Sequence, residues 1–308
     1  MPFMRKLIAG AIVLAALGAI VGWVLSAPRP LEEAEIGAVS DGAETRGERV
    51  FWAGGCASCH AAPKAEGEAR LKMVGGLELE TPFGTFVAPN ISSHETDGIG
   101  AWSLGEFANA MQRGVSPDGA HYYPAFPYTS YARMEPADIA DLYAFMKTLP
   151  PVEGKAPPHQ VSFPFNIRRG LGLWKLLYTR DAPVVEVGPE TSDAVVLGRY
   201  LVEGPGHCGE CHTPRDMFGG TQYNAWLSGA SAATGEGTIP NITPGGDVGG
   251  WSEDEIAEYL NSGFTPDFDS AGGEMASVIK NLANLEPGDR GAIAAYLKQL
   301  PSLPDGHP

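Results

Sequence analysis

The first feature of the hydropathy pattern is an uncharged apolar run over residues 7–25, preceded by Arg5 and Lys6. At a rise of about 1.5 Å per residue, a helix of this length approaches the roughly 30 Å thickness of a bilayer's hydrocarbon core. A secretory signal peptide is the competing interpretation, but its apolar core is usually about 7–15 residues long. We therefore predict an uncleaved membrane anchor, with the basic end in the cytoplasm and the rest of the chain exported.

Beyond this run, apolar positions recur at helical spacing in six segments. These segments form two sets of three, one after the other along the chain. Each middle segment begins with a serine followed three residues later by a glutamate, which is the capping-box pattern of a helix N-terminus. Each closing segment begins with a proline, a residue favoured in the first helical turn. The opening helices are expected to pack on the closing helices. The six predicted helices begin near Gly47, Ser103 and Pro136, and again near Leu197, Ser252 and Pro287.

Other residues repeat at the same interval, which indicates a tandem duplication of one domain. The offsets between matching residues lie between 149 and 152. The matching pairs are Cys56 with Cys208, Asn90 with Asn241, Trp102 with Trp251, and Lys147 with Lys298. Each unit runs over roughly 110 residues, a normal size for a small domain.

The predicted organisation has five parts. They are an anchor or signal peptide (1–27), a tether (28–45), a first domain (46–152), a connector (153–190) and a second domain (191–308). Residues 163–178 make the connector too apolar for a free linker. It could lie on the membrane surface, or it could clamp the two domains together. We favour the clamp.

Composition narrows the class of protein. Apolar residues reach 44%, which excludes a disordered chain, while 40 glycines and 26 prolines indicate many loops. The formal net charge of −16 argues against nucleic acid as a partner. Such acidity would favour basic docking surfaces on other proteins, although simple solubility explains it equally well.

All four cysteines lie in two C-x-x-C-H strings, which are typical of covalent haem attachment. The strings are Cys56-Ala57-Ser58-Cys59-His60 and Cys208-Gly209-Glu210-Cys211-His212. In such a motif both thiols form thioethers to the haem, and the histidine is the proximal iron ligand. A zinc site or a redox dithiol is the alternative, but neither explains why both pairs carry the histidine. We predict two covalently bound haem c groups.

The sixth iron ligands are predicted from the segments ahead of the closing helices. Met275, in a glycine-flanked loop of the second unit, lies where small cytochromes c carry this ligand. Met111 has helical spacing from Phe107, and Met146 aligns with Leu297, so we interpret both methionines as core residues.

The chain resembles the cytochrome c subunits of bacterial membrane-bound dehydrogenases that act on alcohols, gluconate and aldehydes. The resemblance rests on Thr81-Pro82-Phe83-Gly84-Thr85, Asn90-Ile91, Gly98-Ile99-Gly100-Ala101-Trp102-Ser103, Tyr123-Pro124-Ala125-Phe126-Pro127-Tyr128 and Gly206 through Arg215. It implies an all-α fold with two tandem class I cytochrome c-like domains behind the transmembrane helix. It also implies electron transfer from a partner dehydrogenase toward a quinone, an oxidase or a soluble cytochrome.

The chain departs from that family in two ways. Those subunits typically hold three haems, and this chain has motifs for two. Their first-domain ligand is a methionine where this chain has Phe126, which cannot bind iron. We predict Met134 as the substitute, with His121, His94 or a five-coordinate iron as alternatives.

These observations favour an electron carrier on the periplasmic side of the bacterial inner membrane, with no substrate of its own. A haem enzyme, peroxidase-like or sulfur-oxidising, is the alternative and would use an open or unusually ligated first haem. A third hypothesis is a subunit that docks a dehydrogenase to the membrane.

Overall fold

The computed structural model describes residues 2–32, 42–233 and 237–306. Its first element, α1 (Pro2–Leu25), is the predicted N-terminal helix. Residues Phe3–Leu25 have a mean hydropathy of 2.5, and no residue in the most apolar stretch of that helix is buried. By length and composition α1 can cross a membrane, and a signal sequence meets the same test. Part of the predicted tether, 33–41, lies outside the described residues.

The two predicted repeats contain the same order of elements. The first repeat has α2 (Glu44–Ala53), α3 (Cys56–His60), β1 (Glu78–Thr81), β2 (Gly84–Val87), α4 (Leu104–Ala108), α5 (Tyr128–Tyr131) and α6 (Pro136–Thr148). The connector contains α7 (Gly170–Tyr178). The second repeat has α8 (Asp193–Glu203), α9 (Gly209–His212), β3 (Ala230–Ser231), β4 (Thr238–Ile239), α10 (Glu253–Ser262), α11 (Gly273–Leu282) and α12 (Pro287–Gln299).

The core of each repeat is the crossing of its opening and closing helices, as predicted. Helix α2 packs on α6, and α8 packs on α12. A glycine makes each crossing close: a Cβ on Gly47 would lie 1.9 Å from the carbonyl oxygen of Asp141, and one on Gly198 would lie 1.8 Å from that of Ala292. Any larger residue at either position would force the helices apart.

Both capping boxes are confirmed. The Ser103 hydroxyl accepts a hydrogen bond from the Glu106 backbone N–H, and Ser252 does the same for Glu255. The first middle helix continues as a π-helical turn that ends at Gly114, where φ is 57°. Gly114 is required there because a Cβ would lie 2.4 Å from the ring of Tyr128.

Two short antiparallel hairpins modify the all-α prediction. Strands β1 and β2 pair in the first repeat, and β3 and β4 pair in the second. Each hairpin ends just before a Pro-Asn-Ile string, Pro89-Asn90-Ile91 or Pro240-Asn241-Ile242. The amides of Asn90 and Asn241 donate to carbonyl groups beyond the closing helices, at Val152 and at Leu303. These bonds fix the positions of the adjacent Pro89 and Pro240.

The connector helix α7 contacts both repeats, as a clamp would. The Lys175 ammonium donates to the carbonyls of Arg113 and Gly114 in the first repeat, at 2.6 and 2.7 Å. On the other side, the Trp174 indole donates to the carbonyl of Phe218, at 2.9 Å. Burial lowers the pKa of Lys175 to about 7.

Candidate functional site

The two cysteine-histidine strings follow the opening helices and form the short helices α3 and α9. Hereafter residues 56–60 are the first motif and residues 208–212 the second motif. All four cysteines are unpaired. Burial and the neighbouring cysteine raise the pKa values of Cys56 and Cys208 to about 12. In both motifs, burial therefore favours the neutral thiol over the thiolate.

Each motif histidine is oriented by a proline carbonyl. The Nδ1 atom of His60 lies 2.8 Å from the carbonyl oxygen of Pro89, and that of His212 lies 2.8 Å from the carbonyl oxygen of Pro240. A carbonyl only accepts, so Nδ1 carries the proton and Nε2 has its lone pair available for iron. Burial lowers both histidine pKa values and keeps the rings neutral.

These two prolines are functional residues that the sequence analysis missed. The available signal was the repeated Pro-Asn-Ile string, of which only the Asn-Ile part was used. The same donor arrangement at both motifs fits a covalently attached haem with a proximal histidine. Among the described residues, no group of three or more His, Cys, Asp or Glu gathers as a separate metal site.

Each motif is hydrogen-bonded to the opposite repeat, and the two sets of bonds are reciprocal. Ser58, in the first motif, accepts from the Asn281 amide of the second repeat at 2.7 Å. Glu210, at the equivalent position of the second motif, accepts from the hydroxyls of Thr129 and Ser130 of the first repeat at 2.6 and 2.8 Å. Each repeat therefore donates hydrogen bonds to the motif of the other repeat.

Two further contacts join the helix pair α2–α6 of the first repeat to the pair α8–α12 of the second. They involve equivalent positions of the two repeats. Arg49 makes a bidentate ion pair with Asp289, at 2.7 and 2.8 Å. The equivalent contact of the other half is Tyr200 donating to Asp138, at 2.5 Å. Near the centre, the His207 ring donates to the carbonyl of Gly54, at 3.2 Å.

The carboxylate of Glu274 affects the pKa of one cysteine in each motif. Burial first, and then the carboxylate of Glu274, raises the pKa values of Cys59 and Cys211 to about 11. The Cys59 thiol also contributes to the raised pKa of Cys211. Cysteines of the two motifs are therefore close enough to interact electrostatically.

Met275 does not lie in a loop, contrary to our prediction. It is in the first turn of α11, because Gly272 ends the extended segment and the following residues favour helix. Helical spacing places Met275 on the same face as the buried Ile279 and Leu282. Asn281, which bonds to Ser58, lies about a third of a turn around the helix from Met275. The Met275 side chain is partly buried against the hydrophobic core.

Met134 is 3% exposed and lies beside the first motif. It lines a void of about 10 Å³ together with Cys56 and Met111. It also faces Gly204 of the second repeat, at 3.7 Å from the position of a Cβ there. Met111 and Met146 are both buried in the core, as predicted.

The histidines offered as alternatives have other contacts. His121 donates through Nε2 to the carbonyl of Ser26 at 2.9 Å, and its Nδ1 accepts from Lys175 at 3.1 Å. Both of its ring nitrogens are therefore bonded away from the motifs. His94 accepts through Nδ1 from the backbone N–H of Asp97, at 3.1 Å.

Comparison with known proteins decides the family. A family model for cytochrome c matches residues 44–150. A protein of Cereibacter sphaeroides named a diheme cytochrome c-type is 53% identical over 302 residues, which cover 97% of this chain and 99% of that protein. The chain belongs to the dihaem c-type cytochromes. This cytochrome therefore carries two covalently bound haem c groups and functions in electron transport.

Other relatives of the dihaem cytochrome are longer proteins. A nicotinate dehydrogenase subunit of Pseudomonas putida is 38% identical over 89% of this chain, which spans 23% of that protein. The cytochrome c subunit of an alcohol dehydrogenase (quinone) of Gluconobacter oxydans is 37% identical over 92% of this chain, which spans 61% of that subunit.

The bidentate ion pair should stabilise the assembled dihaem cytochrome. Replacing Arg49 with glutamine leaves the buried Asp289 carboxylate without its partner, so we expect the free energy of unfolding to fall by about 1–2 kcal/mol. This figure is discounted because the Arg49 side chain is 38% exposed. Denaturant titration measures the change.

The matched control crosses the same interface. Lys280 and Glu66 form an ion pair at 3.9 Å whose side chains are 60% and 83% exposed. Replacing Lys280 with glutamine should change stability by about 0.5 kcal/mol or less. Equal effects of the two substitutions would show that burial of the Arg49–Asp289 pair contributes nothing.

Proposed function

We propose that this dihaem cytochrome carries electrons from a partner dehydrogenase to the respiratory chain, on the periplasmic side of the bacterial inner membrane. Repeats 46–152 and 191–308 are its two haem domains, and 1–27 is its anchor. The observation that supports this proposal most directly is that each motif is hydrogen-bonded to the opposite repeat, Ser58 to Asn281 and Glu210 to Ser130. It favours two haems held at a constant separation, as a relay requires.

The residues proposed to hold the haems match between the repeats. Cys56 and Cys59 would attach the first haem and Cys208 and Cys211 the second, with His60 and His212 as the proximal ligands. Met134 and Met275 are proposed as the sixth ligands. When bound, each haem supplies reversible one-electron oxidation and reduction of its iron.

The surrounding residues orient these groups. The carbonyls of Pro89 and Pro240 keep the histidine rings neutral and correctly rotated. Burial alone would raise the pKa of Glu210, but the Arg215 guanidinium and the hydroxyl donors hold it below its usual value. Its ionised carboxylate makes charge-assisted hydrogen bonds, which are stronger than neutral ones. The interface beside the second motif is thereby kept rigid.

The dehydrogenase partner is supported by the relatives, several of which are named as cytochrome subunits of dehydrogenases for fructose, alcohols and gluconate. The experiment is to tag the chain in its native host, solubilise the membranes gently and identify the largest co-purifying subunit. That complex is then offered nicotinate, fructose, ethanol and gluconate while haem reduction is followed in the visible spectrum. Recovery of the cytochrome alone from gently solubilised membranes, with no reduction by any substrate, would contradict the proposal.

The anchor gives a direct prediction. Full-length protein should remain with the membrane fraction after high-salt and carbonate washing, because α1 is long and apolar enough to span a bilayer. Fractionation followed by N-terminal sequencing of the mature protein checks this. A mature N-terminus near Pro28 would show that the segment is a cleaved signal peptide.

The proposed sixth ligand of the second haem, Met275, gives a second prediction. Replacing Met275 with leucine keeps the packing volume but removes the thioether. One haem should then lose its thioether-to-iron charge-transfer band and fall in reduction potential, while the other keeps both properties. Redox titration with visible spectroscopy resolves the two haems. Unaltered spectra would remove Met275 from the ligand set.

A further inference from the structure

The connector exposes an apolar surface, and among its residues Phe165 has a ring contact, with Phe83. On α7, Leu173, Leu176 and Leu177 lie at helical spacing on one face and are 41%, 48% and 70% exposed. The loop before α7 adds exposed Phe163, Phe165 and Ile167. We name these six residues the connector patch. The opposite face of α7 holds buried Gly172 and the bonded Lys175, so the helix has one inner and one outer side.

The connector patch adjoins the end of α1. Arg169 donates to the carbonyl of Trp23 at 2.7 Å and to the hydroxyl of Ser26 at 3.0 Å, and its guanidinium lies 4.3 Å from the Trp23 ring centroid. Gly172 is pressed against the Ser26 backbone: a Cβ would lie 2.2 Å from the Ser26 carbonyl oxygen. Helix α7 is therefore in direct contact with the last turn of the membrane helix.

Contacts with the second repeat widen this apolar surface. The Trp174 indole, next to Leu173, donates to the carbonyl of Phe218, whose side chain is 63% exposed. The neighbouring Met217 is 83% exposed. The apolar surface therefore continues from the connector onto the second repeat.

We propose that the connector patch lies on the membrane, at the boundary between headgroups and acyl chains. This rests on the anchoring part of the proposed function. A helix that spans the bilayer carries its last turn to the interface, and groups bonded to that turn must lie at headgroup level. Arginine and tryptophan are common there, and an amphipathic helix lies in the interface with its leucines toward the acyl chains.

The consequence is a fixed orientation of the haem domains. Residues 27–32 do not act as a free tether, because Leu31 donates its backbone N–H to the Asn109 side chain at 2.6 Å. With α1, α7 and Phe218 all at the membrane, both repeats would be held against it. A dehydrogenase would then bind the surface that faces away from the lipid.

The test uses full-length protein in nanodiscs of phosphatidylethanolamine and phosphatidylglycerol that contain a phospholipid with a diazirine in its acyl chain. After irradiation, mass spectrometry locates the labelled residues. We expect label within 2–25 and within 163–177. Phe268, which is 89% exposed in a separate loop of the second repeat, should remain unlabelled. Equal labelling of Phe268 would overturn the proposal, because it would show random contact with lipid.

Two variants sharpen the test. Replacing Leu176 and Leu177 with glutamate should reduce labelling of 163–177 by about tenfold without reducing it in α1, because burying charge at the interface is unfavourable. Phe268→Glu is the matched control and should change nothing. The haem content of each variant, from the pyridine haemochrome spectrum, verifies folding.

The outcomes distinguish the membrane contact of the connector patch from the membrane anchor α1, on which that proposal rests. Label in α1 without label in 163–177 would overturn the membrane contact and leave the anchor intact. Absence of label in α1 would overturn the anchor itself. The native complex is labelled in the same way: retained label in 163–177 supports the proposal. Label that occurs only in the isolated cytochrome would show that a protein partner covers the patch, and would overturn it.

Discussion

Replacing Cys208 and Cys211 together with alanine should remove one of the two covalent haems and leave the other. The reason is that no thioether can form at the second motif, while the first motif keeps both of its cysteines. Alanine suits this test because the Cys208 side chain lies in an apolar environment. The ratio of haem to protein, from the denatured pyridine haemochrome spectrum, should fall by half.

The control is the equivalent change in the first motif, Cys56 and Cys59 to alanine, which should give the same ratio but retain the other haem. Glu210 is unchanged in the first variant, so its bonds to Thr129 and Ser130 should preserve the spectrum of the remaining haem. A ratio that does not change in either variant would contradict the assignment of the motifs.

Replacing Met134 with leucine should convert one haem to a high-spin form that binds carbon monoxide and has a lower reduction potential. Leucine is chosen because the other repeat has Leu285 near the equivalent position, buried to a similar degree. The packing against Gly204 is then largely retained, and the loss of the thioether is the main change. Visible spectra with and without carbon monoxide, together with redox titration, measure the effect.

Three comparisons make the Met134 prediction falsifiable. Met111→Leu alters a second methionine at the same void and should leave both haems low-spin. His121→Gln should also leave them low-spin, because both ring nitrogens of His121 are bonded elsewhere. A wild-type protein that already has one high-spin haem would exclude Met134 as a ligand and would favour the haem-enzyme alternative.

Local signals in the sequence were enough for the haem-binding strings and for the starts of the middle and closing helices, whereas the opening helices begin at Glu44 and Asp193, a few residues before the predicted Gly47 and Leu197. The two C-x-x-C-H motifs need only five adjacent residues each, and the capping boxes at Ser103 and Ser252 need only four. The closing helices begin at Pro136 and Pro287, as predicted. In each case the physical cause is a hydrogen bond or a backbone restriction within one turn of helix, so it can be read without knowledge of the fold.

The relation between the two repeats was decided by the tertiary structure alone. The bond between Ser58 and Asn281 joins residues 223 positions apart, and no local pattern specifies it. The carbonyl of Pro89 reaches His60 across 29 positions only because a hairpin brings it back. Met275 was assigned to a loop because its flanking glycines suggested one, but packing of Ile279 and Leu282 into the core favours helix there.

The sequence by itself determined that the chain binds two haems, where its middle and closing helices begin and that its N-terminal segment can cross a membrane. Only the tertiary structure decided that each motif bonds to the opposite repeat and that the connector contacts the end of α1. The physical reason is the separation along the chain of the residues that interact. Covalent chemistry, caps and hydropathy depend on neighbouring residues, whereas interfaces depend on side chains such as Arg49 and Asp289 that meet only after the chain has folded.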